Sequence, residues 1–561
     1  MKRLKTILIY SVAYLFFFTT MSAKSTLVNS VTSLQTAINS STAQDTLILS
    51  NGTYSNNTLT IGVNNIVVLA QTNGGVYLNG TNSIQINGMR NTFSGFQFTS
   101  STISSNAITV AGDSNILSQL NFNGYGATHM LYITGSYNIV AFCNFQNKPA
   151  QLVSKGGTGD MVQIIPSANK MGYNTIRYCS FQHMPGLGGD FGNECIRIGD
   201  GQYSTMNSGT IVEYCYFEDT GLGDSESISV KSRQNVLRYN TMNNNPNAMF
   251  SFRNGDDNVA YSNFFFNSGG IRCKQANNIY CYNNYFQGSG TNQTAGLPGS
   301  GTAPVYLEYF GNGYGNNFNF FHNTFYGSTA IVIQSPLTNC TWANNIFVQP
   351  IDSIFSGTTS GQNFVGNIYQ GHLGLTINSG MNNTNPNLAL NNFGFYGLTS
   401  NSSARGVSNA NYPALLNLAG IDTLLTDIQG QKRPVLRTQR DVGCDQFSSD
   451  TIINAPLTLG DVGPEYLKPI STGLQVLNNP SQVVKVKIFP NPSSDKVTFE
   501  NVPLGAVVRI LTLNGVEVSN SYATQQKFQL SLQSIAVGTY VYQVIYHNQQ
   551  IAVGKLVKFI S

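Results

Sequence analysis

Between Asn193 and Arg272 the sequence reads, in turn, NECIRIGDG, GDSESISVKSRQN, SFRNGDDN and GGIR, and gathers Glu194, Arg197, Asp224, Glu226, Lys231, Arg253 and Arg272. Only 10% of the 561 residues are charged. A chain that solvates itself with Asn, Ser, Thr and Gly has therefore concentrated its charge here. Asp224 and Glu226 stand two apart, and residues two apart on a strand point the same way. Adjacent carboxylates repel unless a cation or a shared proton neutralises them. Ca2+ suits the pair, because it takes about six to eight oxygen ligands and accepts carboxylates, Asn carbonyls and water. Asn193 and Glu194, earlier in the chain, offer further oxygens. An acidic pair beside Lys231, Arg253 and Arg272 suits an acidic sugar. Neutralising a uronate carboxylate acidifies the neighbouring C–H; a base removes that proton, and the 4-O-linked chain leaves by β-elimination.

These residues are far apart in sequence, so the fold must bring them together, and a repeat shows how. The phrase NTFSGFQF (residues 91–98) returns as NILSQLNF (115–122), NIVAFCNF (138–145), NTIRYCSF (174–181), TIVEYCYF (210–217) and NVLRYNTM (235–242), and continues to NFVGNIY (363–369). Many starts lie 20 to 25 positions apart, as from 91 to 115 to 138. Short alternating strands at this period, with no amphipathic helical face, predict a β-solenoid. One coil cannot bury its own apolar face, so stacked coils share a core. Equivalent Phe side chains then stack inside, and equivalent Asn side chains form hydrogen-bonded ladders at the turns. The expected fold is all-β: a right-handed parallel β-helix. A propeller needs a repeat of about 40 residues. Stacked coils sit about 4.8 Å apart, so Glu194, Glu226, Lys231, Arg253 and Arg272 would fall on successive coils as one patch. Wider spacings, from 138 to 174 to 210 and from 278 to 317, mark inserts expected to wall a groove around it.

Composition narrows the rest. The 55 Gly, the abundant Asn and the single Trp fit many tight corners. A net charge of +4, without a basic run, gives no footprint for nucleic acid. Residues 1–23 read as a secretory signal: Lys2, Arg3 and Lys5, an apolar run from Ile7 to Phe18, then Met21-Ser22-Ala23. No later stretch has the length of a membrane span. Of eight Cys, three (Cys143, Cys179 and Cys215) share one position of the repeat, which predicts stacked buried thiols rather than a disulfide framework. We divide the chain into the signal (1–23), the β-helix (24–447), a Pro-, Gly- and Ser-containing linker (448–480) and a small C-terminal β-sandwich (481–561). The segment 427–447 is expected to close the helix end.

DSESISVKS (residues 224–232), NVLRYNT (235–241), FRNG (252–255), GGIR (269–272) and, upstream, NECIRIG (193–199) together resemble polysaccharide lyase family 6, which contains alginate lyases and chondroitinase B. The resemblance implies a Ca2+-dependent lyase. It implies Lys231 as base, Arg253 as the second catalytic residue, and Asn193, Glu194, Asp224 and Glu226 around the metal. It also implies Arg272 and Asn254 on the substrate. A lysine base acts from its neutral form, and an arginine rarely gives up its proton, so Arg253 is expected to stabilise the enolate-like intermediate. Proton return falls to water or a tyrosine, with Tyr306 and Tyr309 as candidates. The chain departs from the family in Asp224 (often Glu), in Asn254 (a His in the common R-H-G), and in a Lys231–Arg253 spacing one residue longer.

FPNPSSD (489–495), LNG (513–515), GTYVYQV (538–544) and GKLVK (554–558) resemble the type A sorting domain of the type IX secretion system. That resemblance implies a Gram-negative, Bacteroidetes-type source and a secreted or surface protein that meets the type IX machinery. The expected partner is an acidic polysaccharide, alginate first. The alternatives are chondroitin B (dermatan sulfate), which would want more basic residues than the insert between Gly288 and Gly311 carries, and a non-catalytic glycan-binding β-helix.

Overall fold

The computed structural model describes residues 23–559 apart from 150–158, 170, 185–192, 222–224, 291–302, 310–314, 417, 419–422, 469–485, 504–505, 513–516, 524 and 547–548. The signal up to Ser22, Asp224 and the LNG of the sorting motif thus lie outside the described residues.

Three parallel sheets of 14, 12 and 14 strands run side by side, and each coil gives one strand to each. This is the expected β-helix. Inside it, Phe98, Phe122, Phe145, Phe181 and Phe217 stack with centroids 4.4, 5.2, 5.0 and 4.9 Å apart. The column resumes at Phe265, Phe286, Phe325 and Phe347, at 4.7, 4.6 and 5.0 Å. These are the closing Phe of the repeat phrase. The buried position two residues before each changes chemistry along the stack. Phe96 and Leu120 occupy it in the first two coils of the column, and Cys143, Cys179 and Cys215 come next, as free buried thiols. Asn240, Asn263, Asn284, Asn323, Asn345 and Asn367 follow, each accepting from the backbone N–H of the residue before it in the column at 2.9–3.0 Å. A ladder of this kind satisfies turn amides that coil stacking would otherwise orphan.

The 12-stranded sheet holds the charged patch. Its relevant strands are β1 (Leu131–Ile133), β2 (Val162–Ile164), β3 (Ile196–Gly199), β4 (Glu226–Lys231), β5 (Met249–Arg253), β6 (Ile271–Lys274) and β7 (Val305–Glu308). The segments 150–158, 185–192, 222–224 and 291–302 all precede strands of this sheet.

Three findings differ from the sequence reading. A helix, α1 (Val31–Ser40), stands over the first coil and buries Val31, Leu34 and Ile38 in the common core. Ser30 caps it by accepting from the Ser33 N–H. Its face was hidden by its shortness and by a polar remainder without charge. The segment 427–447 does not close the far end, where Leu373, Leu375, Ile377 and Met381 pack on the core instead. It lies along the side: Arg433 donates to Asn283 Oδ1, the Cys444 N–H to Thr324 Oγ1 and the Gly443 N–H to the Asn344 carbonyl. Its polar and charged groups find partners at the turns, whereas the open end offers apolar side chains.

The third lies in the expected linker: from there a strap of chain runs back towards the N-terminal coils. The Leu457 N–H donates to Thr241 Oγ1, the Gly463 N–H to the Tyr178 carbonyl and the Glu465 N–H to Gln119 Oε1. Beyond it, antiparallel sheets of three and four strands share a core that includes Val497, Phe499, Val508, Ile510, Val544 and Leu556, the expected small sandwich. Among the described residues no helix is long and apolar enough to cross a membrane.

Candidate functional site

The register of the 12-stranded sheet assembles the patch. Arg197, Ser229, Ser251, Arg272 and Tyr306 are neighbours in one row across β3 to β7. Two residues on, and so on the same face, lies a second row: Gly199, Lys231, Arg253, Lys274 and Glu308. A register shift between Glu226 and Ile228 falls before Lys231 and leaves the Lys231–Arg253 spacing untouched. Val230 then pairs with Phe252, which sets Arg253 beside Lys231.

A third row lies two residues before the first in-register position of each strand: His129, Asp160, Glu194 and Glu226. All four are buried. Glu226 accepts from Ser229 Oγ at 2.5 Å and Ser251 Oγ at 2.9 Å, and faces Arg272 at 3.4 Å and Arg253 at 3.7 Å. Glu194 takes Arg197 at 2.9 Å on Oε2 and Lys231 at 3.4 Å on Oε1. The same Arg197 nitrogen lies 3.1 Å from Asp160 Oδ1. Burial opposes charge on Glu194, but Arg197 and Lys231 outweigh it and hold its carboxyl below the usual range. Burial, and then the charge of Glu194, push Asp160 well up. The two carboxyls accordingly hold one negative charge rather than two. Burial, with help from Lys148 and Arg197, pushes His129 down to about 3, so it stands neutral behind Asp160.

The remaining expected residues separate. Arg272 is buried, and its guanidinium holds Glu308 Oε2 through Nε at 3.0 Å as well as Glu226. Lys274 takes the other Glu308 oxygen at 2.9 Å. Burial works against charge on Glu308, but Arg272 and Lys274 hold it below the ordinary carboxylate range. Tyr306 sits in register with Arg272, and its hydroxyl accepts from Gln334 Nε2 at 2.9 Å, leaving its own proton to give. Tyr309 lies past the end of β7 and half-exposed, its N–H on Gln334 Oε1. Asn254 follows Arg253 in a left-handed turn, with φ of 62°. Asp160, His129, Lys148, Lys274 and Glu308 escaped the sequence reading. Asp160 and His129 align with Glu194 only once the insert lengths are known, whereas Lys274 had a signal in its two-residue spacing from Arg272.

The implied Ca2+ can be tested against this arrangement. Asn193 is buried, and neither its Oδ1 nor its Nδ2 has a hydrogen-bond partner; an orphaned carbonyl oxygen is a group that a cation would satisfy. Beside it stand Glu194, whose Oε1 has only a long contact to Lys231, and Glu226. Among the described residues no three His, Cys, Asp or Glu side chains converge. The described part of the set is therefore one amide and two carboxylates, with Asp224 outside it. The donors fit a hard oxygen-seeking cation.

Residues 28–297 match the Chondroitinase B family model. The match covers just under half of the 561 residues. Residues 487–558 match the secretion system C-terminal sorting domain, the kind of module that marks a chain for export. No curated protein matches. Among solved structures the chain is similar to the PL6-family alginate lyase AlyGC, at 20% identity and a TM-score of 0.60 over 67% of this chain and 55% of that one. It thus spans about half of that relative's length. It is also similar to a mannuronic acid-specific family 6 lyase from human gut microbiota (20% identity, TM-score 0.52, 62% of this chain and 86% of that). A third is the PL6 lyase Pedsa3628 from Pseudopedobacter saltans (20% identity, TM-score 0.50, 63% and 96%). At this identity the likeness establishes the shared β-helix. The matched span contains every charged member of the patch described above except Glu308.

Proposed function

We propose that the protein is an exported, Ca2+-dependent lyase of a uronic-acid polysaccharide, with alginate as the favoured substrate and the type IX machinery as its exporter. The observation that carries this reading is Lys231 beside Arg253 in register, above the buried carboxylates Glu194 and Glu226. Lys231 Nζ takes the C5 proton of the uronate. The C–H electrons become the C4=C5 double bond, and the C4–O bond breaks to release the chain. Arg253, partly exposed, lies where the charge of the enolate-like intermediate develops. Tyr306 or water returns a proton to the leaving oxygen. Asn193, Glu194, Asp224 and Glu226 would hold the Ca2+, which when bound supplies positive charge to the substrate carboxylate.

Alginate is favoured because the similar solved structures include alginate lyases and the insert between Gly288 and Gly311 carries no Lys or Arg, while the matched Chondroitinase B model keeps dermatan sulfate as the alternative. The discriminating experiment follows the ultraviolet absorbance of unsaturated uronate on alginate, its two block types and dermatan sulfate, with Ca2+ and with chelator. A Ca2+-dependent rise on alginate is expected, and Lys231→Ala should lower it about 100- to 10,000-fold, the usual contribution of a positioned base. A rise on dermatan sulfate alone would change the substrate. No rise on any polymer would overturn the lyase reading.

A further inference from the structure

The turn that leaves the 12-stranded sheet puts one residue per coil in the left-handed region. Most coils place there a residue that tolerates it: Asn65, Ser114, Asp257 and Asn278 have φ of 58°, 60°, 59° and 55°. Arg90 and Gln234 also stand there, at 57° and 64°, and two adjacent coils place aromatic rings, Tyr137 and Tyr173, at φ of 59° and 47°. A bulky side chain is strained in this region, and such strain marks a place to look for function.

The same protein supplies a comparison. At the next turn Phe142, Tyr178, Tyr214 and Tyr239 are also left-handed and also stacked, with centroids 5.0, 5.0 and 4.9 Å apart. Their cover is the strap: Tyr214 packs with Leu457 and Val462, and Lys468 lies over Phe142. The aromatic column there has an occupant. Tyr137 and Tyr173 stack on each other at 5.4 Å but stay 54% and 46% exposed.

Their position says what would cover them. They follow β1 and β2, which lie three and two strands from β4 in the sheet. At about 4.8 Å per coil they stand roughly 14 and 10 Å along the axis from Lys231. They lie past the edge of the sheet where Lys231 and Arg253 end their strands; Gly199 is in register with Lys231 there, and Asp200 follows it in the chain. A polymer lying along the axis through the site therefore passes the pair, and the C–H face of a pyranose packs on exposed aromatic surface as apolar area does elsewhere.

We propose that Tyr137 and Tyr173 form a remote sugar-binding platform that engages the uronate polymer two to three units from the cleaved bond. The proposal rests on the functional reading above for its substrate class, yet binding can be measured without turnover. The test uses the full chain as Lys231→Ala, with and without Tyr137→Asn and Tyr173→Asn. Asn is what sibling coils carry at this turn, so the fold is kept. Binding of alginate and of uronate trisaccharide is followed by calorimetry.

The expected result is polymer binding weakened at least about five-fold, by roughly 1 kcal/mol, with trisaccharide binding unchanged. In the active enzyme the same two substitutions should raise KM on polymer and leave kcat and trisaccharide cleavage as they were. Equal polymer binding with and without the tyrosines overturns the platform. An inactive wild-type protein whose polymer binding still depends on the tyrosines would sink the lyase reading and keep the platform.

Discussion

The ammonium of Lys148 is buried and donates to backbone carbonyls of Thr128 at 2.8 Å, Gly159, and Asp160 at 3.1 Å. Burial pushes it down to about 7, although Asp160 pulls the other way. The sign follows directly. Between about pH 7 and the ordinary lysine value near 10.4, the unfolded chain binds the proton and the folded chain does not. Stability therefore rises with pH through this window, and the burial penalty is present in full below it. Lys148→Met removes the titration. The wild-type protein should gain stability relative to Lys148→Met from pH 7 to 10, by at most about 2–4 kcal/mol, read as the difference in urea unfolding free energy. A difference flat with pH would show that Lys148 is charged in the fold at all these values. No spacing in the sequence pointed to this lysine, because it meets Asp160 only after an insert. Glu226, Lys231 and Arg253 were legible, since two-residue steps along strands and one-coil steps between them are both readable from a repeat.

At the scale of the element, the column that changes from Cys to Asn makes a stricter claim than burial does. Asn263 accepts from both the N–H and the Nδ2 of Asn240 at 3.0 Å, and donates to the Leu237 carbonyl at 2.9 Å and to Asn284 Oδ1 at 3.0 Å. Asn263→Ala strands the Asn240 amide inside the stack. Each buried group left without a partner costs about 1–3 kcal/mol, so the variant should lose upwards of about 2 kcal/mol of unfolding free energy. Cys179→Ala, in the same column, removes only a small buried hydrophobe and should lose less. An equal loss at the two positions would mean that the ladder adds nothing beyond packing. The Phe column and this ladder were visible in the sequence as the recurring phrase. Helix α1 was not, because VTSLQTAINS offers only three apolar contacts and no charged face to contrast with them.

For the whole molecule, the boundary of the folding unit matters most. The change of composition near Val484 revealed the sorting domain, whose strands alternate plainly. The strap stayed hidden, because its apolar residues are few and its register is set by turns it meets across more than two hundred residues of sequence. Leu457 and Val462 are nevertheless 6% and 2% exposed, and burying side chains of this size contributes about 1.5–3 kcal/mol each. The strap therefore belongs energetically to the β-helix, while residues 487–558 have a core of their own. Two truncations separate these roles. A chain ending at residue 468 should keep the β-helix melting transition of the full protein. One ending at residue 447 should melt lower, by an amount matching a few kcal/mol, and its bared Tyr178–Tyr214–Tyr239 column should bind a hydrophobic dye. Both lack the sorting domain, so both should stay inside the cell when expressed in a bacterium whose secretion system recognises that domain, while the full chain is exported. If the chain ending at 447 melts with the full protein, the strap is a passenger on the coils, and the segment after Phe447 is linker in the mechanical sense as well as in composition.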